Sequence, residues 1–147
     1  YEKNPKKYMW KQSAEAVIFF CSDQSISNLV FDAVKKDPVH WQKDVEPFAE
    51  KVVADSGRYE WTQIPTAVKT AFTPGMLTKP LINKNDNTAS FAYILKVYPQ
   101  PMQRSFNEAK GLLISDYQTQ LEDKWVTELK KKYPVVINQK VLAEISK

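Results

Sequence analysis

"SFAYILKVYPQPMQRSFNEAKG", residues 90–111, decides how the chain is read. It opens with a run rich in aromatic and aliphatic residues, the signature of a strand. Pro99 and Pro101 then break that run, because a proline has no amide to give to a ladder. Ser105 and Glu108 follow with the spacing of a capping box, which marks a helix start. One stretch therefore holds the last strand of a sheet and the first turn of something different.

Working back from it, "AEAVIFFCS" (residues 14–22) is apolar but too short for a helix, so it reads as a central strand buried on both faces. Ser22, Asp23 and Ser25 are helix-capping types. Ile26, Leu29, Val30, Ala33 and Val34 then fall on one helical face, and the helix ends at "KKDP". Asp37-Pro38 opens a second helix that Pro47 splits into two short pieces. "SGRYEWTQI" reads as a strand introduced by a turn at Gly57. "PTAVKTAF" reads as a short helix, "TPGM" as a turn, "LTKPLI" as a short extended piece and "NKNDN" as a turn. The order predicts an α+β fold: a small sheet with surrounding helices, then a long helix, a short strand and a short helix.

Working forward, nothing interrupts the chain between Leu112 and Tyr133. Ala109, Leu113, Tyr117, Leu121, Trp125 and Leu129 recur every fourth residue, so the apolar stripe gains about 40° per step and winds around the helix. A helix packed on one flat surface does not need that winding, whereas one that leans on two bodies in turn does. "KKYPVVIN" then reads as a strand and "QKVLAEI" as a final helix. The chain thus divides into a leading segment (residues 1–13, expected to lie against the domain as an edge strand), a sheet domain (14–101) and a helical tail (102–147).

Composition narrows the function classes. Of 147 residues, 43% are apolar and 26% charged, which permits a packed core and excludes a disordered chain. The net charge is +4 and the one basic run, Lys130 to Lys132, fits a solvated helix end, so no nucleic-acid footprint is present. No apolar stretch approaches the roughly 18 residues of a membrane helix, so no membrane insertion is expected. Cys21 stands alone and reads as a buried structural thiol, and His40 is the only histidine, so neither a metal nor a cofactor is expected. The absence of an initiator Met leads us to expect a fragment of a longer chain.

These residues resemble a family. Residues 14–98 are similar to a parvulin domain, the PpiC type of peptidyl-prolyl isomerase (rotamase). "AFTPGMLTKPL" matches the helix, turn and extended piece before its closing strand, and "SFAYILKV" matches that strand. Residues 99–147 resemble the C-terminal tail of SurA-like folding factors of Bacteroidetes-type bacteria, through Glu-Ala-Lys-Gly, Asp-Tyr-Gln, Leu-Glu-x-x-Trp and Lys-Lys-Tyr-Pro-Val in order.

The resemblance implies a periplasmic chaperone that acts in outer-membrane biogenesis. Its implied partners are unfolded outer-membrane polypeptides and the N-terminal domains of its own chain. Parvulins place two histidines face to face under the groove. The matching positions here are near Ala16 and at Tyr93, so the resemblance implies no catalytic residue, with Tyr93 and Asp55 the only groups left to stand in. Tyr59, Trp61, Ile64 and Ala67 are the implied peptide-binding positions, Ala67 replacing a bulky aromatic. The expectation is a domain that keeps peptide affinity and has lost most isomerase activity. Two alternatives stay open: an active isomerase with an altered site, or a docking domain that contacts only its own chain.

Overall fold

The computed structural model describes residues 1–67 and 71–134. Contacts divide the chain into two compact units, Met9–Gln103 and Tyr1–Tyr8 together with Arg104–Lys147. The first unit holds Met9–Trp10 (β1), Ser13–Cys21 (β2), Gln24–Lys36 (α1), Trp41–Val45 (α2), Val52–Glu60 (β3), Leu81–Ile82 (β4), Ala89–Tyr98 (β5) and Met102–Gln103 (β6); Phe106–Lys132 (α3) lies in the second. The fold is α+β.

Four strands form one antiparallel sheet in the order β3-β2-β5-β4. As its apolar run predicts, β2 is central and both its faces are covered. Alternation sends Val17, Phe19 and Cys21 to one face, where Val30 and Val34 of α1 pack with Val45, Val52 and Phe91. The rings of Phe19 and Phe91 stack at 4.7 Å between centroids, with Phe31 edge-on to Phe91 at 5.4 Å. Ala14, Ala16 and Ile18 point to the opposite face. α1 starts where the capping residues sit: the Asp23 carboxylate accepts the Ile26 amide at 2.9 Å. That bond, more than any other contact, holds the Asp23 carboxyl below its ordinary range. The broken second helix is also as read: 3-10 turns at Pro38–His40 and Glu46–Phe48 flank α2.

Three readings change. The strand expected from Ser56 to Ile64 begins at Val52 and ends at Glu60, and it passes straight through Gly57 without a turn. Nine consecutive pairings with β2 outweigh the local preference of one glycine. The leading segment does not join the main sheet; Met9 and Trp10 pair with Gln103 and Met102 as a separate ribbon. The short helix expected over 65–72 falls partly on residues 68–70, outside the described residues, and its described residues lie in no helix. The strand and helix expected after α3 fall mainly on residues 135–147, also outside the described residues.

In the second unit, α3 opens with the capping box. The Ser105 amide donates to Glu108 Oε2 at 2.7 Å, and the Glu108 amide donates to Ser105 Oγ at 3.3 Å. Asp116 receives Lys7 Nζ and the Tyr8 hydroxyl, each at 2.8 Å. Lys7 first, and Tyr8 second, hold the Asp116 carboxyl below its ordinary range. Of the winding stripe, Ala109 is buried, whereas Tyr117, Leu121 and Trp125 are exposed.

Candidate peptide groove

The face of the sheet away from α1 carries the candidate site. Its floor is Ala14, Ala16 and Ile18 of β2 with Ala92 and Ile94 of β5, covered by Ile64 and Phe72. Two loops deliver that cover. The first is the 3-10 turn Trp61–Gln63 that follows β3. The Glu60 amide donates to Gln63 Oε1 at 2.8 Å, and the Trp61 amide donates to the Gln12 carbonyl at 2.9 Å. The Trp61 indole donates to the Ser13 carbonyl at 3.2 Å and meets Phe72 edge-on at 5.5 Å.

The second loop turns at Gly75, whose φ of +83° is the left-handed conformation that glycine adopts freely. This turn lets residues 75–78 run along β5. The Gly75 amide donates to the Ile94 carbonyl and the Ile94 amide to the Met76 carbonyl, both at 2.8 Å. Thr78, buried, accepts the Ala92 amide on its hydroxyl at 2.8 Å.

Beside this floor lies a cavity of about 630 Å³. Trp61, Ile64, Ala71 and Phe72 give it an apolar lining, and Gln12, Thr62 and Thr66 add polar groups. Of the four sequence-predicted binding positions, Trp61 and Ile64 line it. Tyr59 packs against the same cluster but does not reach the cavity. Its ring lies over Gly57, where a Cβ would stand 3.4 Å from the hydroxyl. Burial, with Asp55 as the second cause, pushes the Tyr59 phenol up to about 12, and its hydroxyl donates to the Asp55 carbonyl at 3.2 Å. Ala67 is exposed and does not line the cavity. Phe72, Gln12, Thr62, Thr66 and Ala71 are lining residues that the sequence reading did not single out. The aromatic ring in "TAF" was the one available signal.

The expected pair at Ala16 and Tyr93 does not face itself. Val17 lies opposite Tyr93 and Ala16 opposite Ile94, so Ala16 and Tyr93 point to different sides of the sheet. Tyr93 packs with the helix-side core. A bulge is the cause. The register shifts between Glu15 and Ala16, leaving Leu95 as an extra residue in β5. On the Ala16 face of β5, Ile94 lies directly across from Ala16 and Ala92 diagonally across; all three are wholly buried. Asp55 is exposed on the face opposite to Tyr93, so the two stand-in groups cannot act on one substrate. His40 is exposed and paired with Asp37, Nδ1 to Oδ2 at 2.8 Å, away from the cavity lining. Cys21 is buried on the helix side and burial pushes its thiol up, which suits an inert packing residue.

Chemically, then, the cavity offers apolar area and a few neutral hydrogen-bonding groups, with no charged or imidazole side chain among its described lining residues. Among the described residues no cluster of His, Cys, Asp or Glu is placed to hold a metal ion, and no helix is long and apolar enough to cross a membrane.

No protein-family model matches the chain, and no curated protein matches it. Among solved structures two chains match, one of them with a TM-score of 0.45 and 16% identity. It comes from work on the virulence factor PEB4 and the periplasmic protein Cj1289, described as two structurally related SurA-like chaperones in the human pathogen Campylobacter jejuni. The match covers 94% of this chain and 61% of that one, so this chain spans about 61% of that chain's length.

Proposed function

We infer that the chain is part of a SurA-like periplasmic folding factor of the parvulin-type isomerase family. Its sheet domain (residues 14–101) binds unfolded outer-membrane polypeptides and is weak or inactive as an isomerase. The helical tail (102–147) belongs to the chaperone body, built with N-terminal domains of the same chain. The family attribution rests on the sequence motifs. The loss of catalysis rests on one observation, the apolar floor of Ala16, Ala92 and Ile94.

Prolyl isomerisation must cross an amide barrier of about 20 kcal/mol without a covalent step. A catalyst lowers that barrier only by binding the twisted imide better than either planar form. Such preference needs polar groups placed around the imide. Alanine and isoleucine side chains have none, so they treat planar and twisted forms alike. Burial of apolar client side chains against Trp61, Ile64 and Phe72 needs no such discrimination and is unaffected.

The test pairs two assays on the same X-Pro peptides. A protease-coupled assay is expected to show no acceleration of cis–trans exchange, while fluorescence anisotropy shows saturable binding. Acceleration that disappears in a Tyr93→Phe or Asp55→Asn variant would refute the loss of catalysis. Absence of binding, together with failure to slow aggregation of an unfolded β-barrel protein, would refute client binding and leave a purely structural domain.

A further inference from the structure

β3 is a terminal strand, and among the described residues β2 is the only strand paired with it. Its nine residues, "VVADSGRYE", contain neither Pro nor Lys, and its charges are Asp55, Arg58 and Glu60, of both signs. Which main-chain groups face outward follows from the register. The Ser22 amide donates to the Lys51 carbonyl at 2.9 Å, and the Trp61 amide donates to the Gln12 carbonyl at 2.9 Å. Those two bonds bracket the nine pairs, and in an antiparallel ladder bonded positions recur at every second residue. Val53, Asp55, Gly57 and Tyr59 therefore bond to β2, while the amides and carbonyls of Ala54 and Ser56 point away from the sheet. The Glu60 amide, on the same outward set, is taken by the Gln63 side chain instead of β2, as this phase requires.

We propose that the outer edge of β3 is a docking strand for an extended client polypeptide, which adds to the sheet through the main-chain groups of Ala54 and Ser56. The inference rests on the client-binding reading and names the conformation in which that client is held. Three features select this occupant. An outward row of alternating donors and acceptors is complementary to another extended backbone. The edge is continuous with the cavity, because β3 runs directly into the Trp61–Gln63 turn that lines it. The side chains beside the edge on the cavity face are Val53, which is 65% exposed, then Asp55 and Gly57, so an added strand presents its apolar residues to one side only. Strands of outer-membrane barrels have that alternating pattern. A second copy of this chain fits less well. Two-fold pairing centred anywhere from residue 54 to 58 sets Asp55 against its own copy, or Arg58 against its own, directly or diagonally across the new seam.

The experiment is amide hydrogen exchange on the protein with a probe peptide of alternating Val and Thr, flanked by Lys and about nine residues long to match one strand. With peptide at about 100 times its Kd, the Ala54 and Ser56 amides are expected to exchange about 100-fold more slowly, because they are bonded only in the complex. Val53 and Asp55, already bonded to β2, change little. A probe N-methylated at alternate residues loses the affinity when the methylated set faces β3. Saturable binding with unchanged exchange at Ala54 and Ser56 overturns the edge and leaves the cavity as the client site. Protection of the same amides on raising protein concentration alone assigns the edge to a second copy and also overturns it. No binding at all overturns this inference together with the client-binding reading.

Discussion

Trp61→Ala separates the cavity's contribution to binding from its contribution to folding. The substitution removes an edge-on contact with Phe72 at 5.5 Å and a 3.2 Å indole bond to the Ser13 carbonyl. The ring pair contributes about 0.5–1.5 kcal/mol beyond its area. The hydrogen bond adds about 1 kcal/mol. With Trp61 only half-buried, the sum is a stability loss of roughly 2 kcal/mol, read by urea unfolding followed by circular dichroism. Binding should fall by a comparable amount, since an aromatic that walls an apolar cavity is the usual anchor; about 2 kcal/mol corresponds to about 30-fold in Kd. Phe91→Ala is the control. Phe91 is wholly buried between Phe19 and Phe31 on the other face, so it should lose about 3–5 kcal/mol of stability. Where that variant remains folded, its peptide affinity should be unchanged. The reasoning is refuted if Trp61→Ala binds within about twofold of the parent, or if Phe91→Ala weakens binding as much.

Two further outcomes follow from the same face. Gly75→Ala places a side chain at φ +83°, which costs about 1–2 kcal/mol although space is open there, and Gly75→Asn should cost less. Denaturant midpoints check the order of the three proteins. Tyr59 gives a pH signature. Its phenol ionises near 10 in the unfolded chain and at about 12 in the folded one, because burial and Asp55 disfavour the phenolate. The folded value is the higher, so the associated stability is complete below about pH 10 and is lost as pH rises through about 12. Unfolding midpoints measured across that window should flatten in Tyr59→Phe.

Some of this was legible in the residues and some was not, and the division has a physical basis. "AEAVIFFCS" specifies a two-faced central strand because eight of its nine residues are apolar or small, and Glu15 alone gives no continuous polar face to wet. Asp23, Pro38, Pro47, Ser105 and Glu108 specify helix ends because capping and the missing proline amide act within a few residues. Such signals are local, and a sequence carries them whole. Trp61 and Ile64 were reached through the family resemblance, which set them at binding positions, and both line the cavity.

What distant segments do to each other was decided only by the tertiary structure. Pairing with β2 carried β3 from Val52 through Gly57, against the local turn signal. The extra residue at Leu95 shifted the phase of β5, so that Ala92 and Ile94 share the Ala16 face and Tyr93 joins the helix-side core. A strand's side chains alternate with period two, so one inserted residue exchanges the faces of everything beyond it. The outward amides of Ala54 and Ser56 belong to the same class of fact. Their direction is fixed by a ladder that begins nearly forty residues away in sequence, and no composition or spacing within β3 contains it.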